Sequence, residues 1–217
     1  MATYLNLVND VLIRLRESQV SAVEDTTYST LIGKFVNDAK REVEDAWNWT
    51  SLRTEIAITL TADDSTYDVT GTNRRTRILE VHNTTQDYII RPLSHVQFQR
   101  RSNLGSSQTG SPTWYKVMGF NSSSGEMQIE LFPTPSAADT IEFYAVNPLT
   151  DFSTDTTVLT VPDDAVVLGA WAKAVSERGE DGGQLFQEAD LMYRSALHTA
   201  ISWDTASIPE EINFHPV

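Results

Sequence analysis

The 217-residue sequence has no cysteine, which excludes disulfides, thiolate metal sites and cysteine nucleophiles together. That composition fits assembly in a reducing compartment. No apolar run approaches the ~18 residues of a membrane helix, and the opening MATYLNLVND has no charged segment followed by an apolar one. Neither a membrane span nor an export signal is therefore expected. Positive charge is scarce: 16 Lys and Arg stand against 30 Asp and Glu, a net charge of −14. So acidic a chain is not expected to wrap nucleic acid tightly, because affinity for phosphate comes mainly from Lys and Arg. The few cations are clustered. Arg74, Arg75, Arg77, Arg91, Arg100 and Arg101 face only Glu80 and Asp87 over residues 74–101, about +4, which leaves about −18 for the rest. Such a segment is either a solvated or internally paired face, or a basic patch that meets an acidic surface on another copy or a partner.

The stretch from Val161 to Arg178, VPDDAVVLGAWAKAVSER, organises the rest. Pro162 with Asp163 and Asp164 marks a helix start, and the carboxylates are expected to cap it. The residues after Asp164 are apolar on nearly every side, so this helix must be covered all round. At about 1.5 Å per residue it is roughly 24 Å long, too short for a bilayer and right for the central rod of a bundle.

Three other segments carry helical periodicity. Thr3 precedes an amphipathic run with Leu5, Val8, Val11, Leu12 and Leu15 on one face. From Tyr28 to Asn48, Leu31, Ile32, Phe35, Val36, Ala39, Val43 and Trp47 recur at three and four, with Lys34, Asp38, Arg41, Glu42 and Asp45 opposite. Gln184 to Trp203 places Leu185, Phe186, Ala189, Met192, Tyr193, Ala196, Leu197, Ala200 and Ile201 on one broad face; the short link at Gly179–Gly183 makes it antiparallel to the central rod. Leu12, Phe35, Trp47, Trp171, Val175, Met192 and Leu197 are the expected bundle core. Between the helix pairs the period drops to two. Strands are expected at 55–60, 66–69, 78–82, 88–90, 113–118, 126–131, 140–146 and, shortly before the rod, 157–161, with a possible short helix over 92–101. The predicted class is α+β. A four-helix bundle (residues 1–50 and 162–204) receives an antiparallel β-sandwich or barrel (51–161), and residues 205–217 form an extended arm.

Chemistry has little to stand on. His82, His95, His198 and His215 share no ligand spacing, and no cofactor or metal site is expected. The pairs Asp63–Asp64 and Asp163–Asp164 read as turn and cap residues rather than acid–base pairs. Asp151 and Asp155 lack the pattern of a calcium loop. Ser122 to Gly125 sits in a hairpin loop, not in a strand-to-helix elbow. Trp47-Asn48-Trp49 is either a sugar-stacking platform or a seal at a helix-to-strand junction. Catalysis is not expected.

The order of the pieces resembles the head-to-tail adaptor family of short-tailed phages, also called tail tubular protein A. The likeness rests on the helical start and Trp47-Asn48-Trp49, followed by Ile56-Ala57-Ile58-Thr59-Leu60-Thr61-Ala62, Tyr67-Asp68-Val69 and Arg77-Ile78-Leu79-Glu80-Val81. It continues through Gly110-Ser111-Pro112-Thr113-Trp114-Tyr115, residues 129–135, Ile141-Glu142-Phe143-Tyr144, and Leu159-Thr160-Val161-Pro162 leading into the Ala-rich helix. Val69 is followed by Thr70-Gly71 where the family more often turns on Leu-Pro, and residues after Asp204 match no usable pattern. The resemblance implies a virion protein at the head–tail interface, assembled in the host cytoplasm. It implies a dodecameric homo-oligomeric ring between the portal protein and the tail nozzle protein. DNA then passes through without sequence-specific binding, and no membrane is involved. Arg74, Arg75, Arg77, Arg100 and Arg101 are candidates for the contact between subunits, and Ile208, Ile212, Phe214 and Val217 for docking on the portal by ordering on contact. The rival readings are a glycan-binding β-sandwich of a tail spike or fibre, using Trp114 and Tyr115, and a hydrolase of unknown type.

Overall fold

A computed structural model of the chain describes residues 2–104, 108–179 and 183–207. The protein is α+β, with five helices among the described residues. It divides into two compact units: Met1–Ser51 with Leu149–Val217, and Leu52–Pro148.

The first unit holds helices α1 (Tyr4–Arg14) and α2 (Thr27–Ala46), and later α4 (Asp163–Arg178) and α5 (Gln184–Ser207). Thr3 caps α1 by accepting from the Asn6 N–H at 3.3 Å, and Thr26 and Ser29 form a reciprocal capping box on α2. Pro162 opens α4 without any side-chain cap; Asp163 and Asp164 stand in the first turn, where their charge suits the positive helix end. Gly179 closes α4 in the left-handed conformation, φ 62°. Helix α4 packs against α1, α2 and α5. Small residues set that packing. A Cβ on Gly169 would lie 3.2 Å from both Ala39 and Tyr193, so α2 and α5 approach the rod closely there.

The segment between the last strand and α4 is laid on α2 rather than on a sheet. Asn37 holds Phe152 from both sides, accepting from its N–H at 2.8 Å and donating to its carbonyl at 3.2 Å. The Lys40 ammonium, fully buried, donates to the carbonyls of Leu149 (3.0 Å) and Thr150 (2.9 Å) and pairs with buried Glu44 at 3.0 Å. Arg41 adds an ion pair to Asp151. The strand expected at 157–161 is reduced to a single antiparallel bridge, Thr3 to Val158, because its partner is the chain's own N-terminal lead-in rather than another strand.

The second unit begins with β1 (Arg53–Thr59), β2 (Thr66–Val69), β3 (Arg77–Asn83), β4 (Tyr88–Ile89) and β5 (Arg91–Pro92). Helix α3 (His95–Leu104) follows, then β6 (Thr109–Gly110), β7 (Trp114–Phe120), β8 (Met127–Phe132), β9 (Thr134–Pro135) and β10 (Thr140–Val146). The strands form two four-stranded sheets, β1-β10-β3-β4 and β2-β8-β7-β5, and a small pair, β6-β9. No sheet among the described residues closes into a barrel. The two-residue pairs β5–β7 and β6–β9 are parallel, and the other strand pairings are antiparallel as expected. The two large sheets share one core, with Val81, Ile141 and Phe143 from the first and Met127, Ile129, Leu131 and Tyr115 from the second. Alternation at period two is the reason: in β8 every second residue is buried.

Gly33 of α2 lies under Tyr4. A Cβ there would collide with the Tyr4 hydroxyl and come within 2.8 Å of Val23 Cγ1. Gly33→Ala is expected to cost about 1–3 kcal/mol by overpacking, and less in a Tyr4→Phe background, read by denaturant unfolding. Equal losses in the two backgrounds would show that the contact is relieved elsewhere.

Candidate assembly interface

Three flanks of α4 are covered by α1, α2 and α5, and its surface between α1 and α5 stays open. Three hollows lie along it. One of about 450 Å³ joins Pro162, Ala165 and Leu168 of the rod's start to Met192, Ala196 and Trp203 of α5. A second, about 360 Å³, lies between Asp10 and Ile13 of α1 and Asp163, Asp164 and Val167. The third, about 650 Å³, joins Trp171 and Val175 to Leu185 and Phe186, with Arg14, Arg16 and Arg178 around it. Arg14 lines all three, and together they are termed the α4 groove. Its guanidinium sits 5.9 Å from the Trp171 ring centre. Arg178 is committed to the fold: it donates to the Tyr28 hydroxyl at 2.8 Å and pairs with Glu17, whose hydrogen bond holds the guanidinium pKa above its ordinary value. The groove is acidic where α4 starts and basic where it ends.

Helix α5 explains why the groove is apolar. Its apolar arc is wider than one neighbouring helix can cover. Only Ala189 and Ala200 are fully buried on it. Met192, expected in the core, is 51% exposed, because it stands at the edge of the arc that α4 touches through Ala189. Leu185, Phe186 and Leu191 are exposed too, and Trp203 is 72% exposed. Of the other expected core residues, Leu12 and Val175 are buried, and Phe35, Trp47, Trp171 and Leu197 are half-buried. Trp47 donates its indole N–H to Asp204 at 3.0 Å, and Asp204 also accepts from the Thr50 N–H at 3.2 Å. That carboxylate ties the end of α5 to the end of α2.

A family model described as SU10 adaptor protein matches residues 2–210. The chain belongs to that family. No curated protein matches the sequence. The family is one of structural phage adaptors, not an enzyme class, and it makes the protein a virion component at the head–tail interface, in an oligomeric assembly with portal and tail components.

The adaptor's arginine-rich segment is split between elements. Arg74, Arg75 and Arg77 lie at the β2–β3 connection and the start of β3, whereas Arg100 and Arg101 lie on α3. Arg74, Arg100 and Arg101 are exposed, and Arg75 and Arg77 are half-buried. The Arg101 guanidinium stacks 4.0 Å over the Trp114 ring, which in turn stacks on Phe132 at 6.3 Å. Trp114 is thus covered by the adaptor's own residues, and Tyr115 is buried in the core. Neither is laid out as an open sugar platform. Among the described residues, no three His, Asp or Glu side chains converge as metal ligands would. The arm positions Ile208, Ile212, Phe214 and Val217 lie outside the described residues.

The sequence places Met192 and Leu197 of the α5 arc in the core and gives no sign of the groove beyond the arc's width. For the arginines, Arg101→Ala should cost about 0.5–1 kcal/mol through the lost stacking on Trp114, and Arg100→Ala should stay within about 0.5 kcal/mol, both measured by denaturant unfolding. Equal effects at the two positions would mean that the stack does not hold in solution.

Proposed function

We propose that this adaptor forms a homododecameric ring between the portal protein and the tail nozzle protein, with DNA passing through the ring during ejection. The observation that carries this reading is the family match over residues 2–210. In it, the helix pairs from the two ends of the chain act as a four-helix bundle and the inserted strands as a β-sandwich. Contacts that close a ring are head-to-tail and need two unlike surfaces on each subunit. The uncovered apolar arc of α5 supplies one kind of surface, and the arginines at 74–77 and 100–101 supply another, which suits acidic faces elsewhere on a chain of net charge −14. A channel wall of the same acidic character neutralises few phosphates and lets DNA slide. Subunits assemble in the host cytoplasm, where a cysteine-free chain loses nothing.

The portal contact falls to Ile208, Ile212, Phe214 and Val217. Because Asp204 is held by Trp47 and Thr50, and α5 continues to Ser207, the segment to remove is 208–217 rather than 205–217. Purified protein lacking 208–217 should unfold as cooperatively as the full chain yet fail to decorate portal rings in negative-stain images, where the full chain gives a twelve-fold collar. Full decoration by the truncated protein would remove the tail from the portal contact. A full chain that leaves portal rings bare would end the connector reading.

A further inference from the structure

Two sides of the inserted unit, Leu52–Pro148, carry opposite charge. We infer that helix α3 of one copy lies across the outer face of the sheet β1-β10-β3-β4 of the next, so that copies join head to tail through this unit. The inference rests on the ring proposed above and names two faces that meet within it.

Alternation decides which way each residue faces. In β10, Ile141 and Phe143 enter the core shared by the two large sheets, so Glu142 and Tyr144 point away from it. The register places Glu55 of β1 and Glu80 of β3 on either side of Tyr144, and Ala57 and His82 on either side of Glu142. Ile89 of β4 continues the second of these rows beside His82. In β8, Ile129 and Leu131 enter the same core from the other sheet, so Phe132 points outward. Phe98 of α3 meets it there, with 6.0 Å between ring centres. The carboxylates and α3 therefore stand on opposite sides of one unit.

Glu55 and Glu80 are exposed, and among the described residues no lysine or arginine pairs with Glu55, Glu80 or Glu142. The arginines of these strands, Arg53 and Arg77, stand one row nearer the strand ends, opposite Val146. Like charges on neighbouring strands are unfavourable. The Tyr144 phenol registers them: its pKa is raised by burial first and then by the charges of Glu55, Glu142 and Glu80. Helix α3 is the reverse. Residues 88–115 contain no Asp or Glu, and with Phe98 turned inward, Val96, Gln97, Arg100 and Arg101 are all exposed. Val96 lies one turn before Arg100, so an apolar group and a cation share a stripe, as Tyr144 and Ile89 share a face with carboxylates. A two-fold contact would set α3 against α3 or sheet against sheet, like charge against like. Only the head-to-tail arrangement brings the opposite charges together, and that is the kind of contact that closes into a ring.

The absence of cysteine lets the contact be trapped covalently. Gln97 on α3 and Ala57 on β1 are exposed and lie beside the charges without carrying any. Equal amounts of full-length Gln97→Cys and Ala57→Cys protein are mixed at high concentration under mild oxidation. The ratio of mixed to like disulfide dimers found at high salt, where exposed charges are screened, is the reference for random collision. At low salt that ratio should rise about fivefold. Adding Glu55→Lys and Glu80→Lys to the Ala57→Cys protein should remove the rise. Adding Arg100→Glu and Arg101→Glu to the other protein as well should restore it, which a misfolded variant could not do. A ratio indifferent to salt, or a rise that survives the reversal of the two glutamates, would overturn the inference. An excess of either like dimer at low salt would overturn it too, as the mark of a two-fold contact. No portal is present, so a ring built on other faces would still decorate portals while this mixture stayed random.

Discussion

The antiparallel pairing of β1 with β10 is the constraint on which the architecture depends. These are the first and last long strands of the inserted unit, and they pair over their full length from Arg53–Val146 to Thr59–Thr140. The Asn147 N–H then donates to the Leu52 carbonyl at 2.9 Å. A chain that leaves a helical unit for nearly a hundred residues faces a loop-closure cost, and adjacent antiparallel terminal strands meet it inside the insert itself. The two ends of the insert emerge side by side, and helices far apart in sequence become neighbours. β3 pairs on the other side of β10, so β10 is an inner strand of the sheet and β1 its edge; the seven-residue pairing and the burial of alternate residues of β10 fix the register there.

The return path is fixed by polar contacts that hydrophobic patterning does not reveal. Asn37, Lys40, Arg41 and Glu44 are spaced three and four apart, so they share a face of α2. That face receives Leu149 to Phe152 as an irregular strap with every strong donor of Lys40 in use. A buried ion pair adds little net stability, because desolvation offsets the attraction, but removing one partner alone is costly. The pair therefore acts on placement: it tolerates one path for residues 149–152 and penalises others. In the sequence, a lysine four residues before a glutamate reads as a solvated helix pair, and nothing local distinguishes the buried case.

Most elements were legible because their signals are local. Thr3 and Gly179 punctuate helices by capping chemistry, and the alternation in Thr140–Val146 reads directly as a half-buried strand. Thr157 to Val161 is β-branched-rich and reads as a short strand but meets only the N-terminal lead-in, so it forms one bridge; whether a strand has a partner is a tertiary fact. The assembly surface was illegible for a related reason. Periodicity gives the width of an apolar arc but not how much of it a neighbour covers, and on α5 the neighbour is a rod whose glycine and alanines make a close, narrow contact.

That narrowness has an electrostatic counterpart. Copies of a chain with net charge −14 repel one another, so association needs local attraction strong enough to offset the overall field. The adaptor concentrates its cations instead of spreading them: the segment from Arg74 to Arg101, and the end of the α4 groove where Arg14, Arg16 and Arg178 surround Trp171 and Phe186. In both places arginine lies beside an aromatic ring, Arg101 over Trp114 and Arg14 near Trp171. An acidic and apolar segment gains there from ion pairing and desolvation together, whereas an acidic surface without apolar groups gains only a screened attraction. Placing the basic charge next to the uncovered apolar surface makes these sites selective for segments of mixed character.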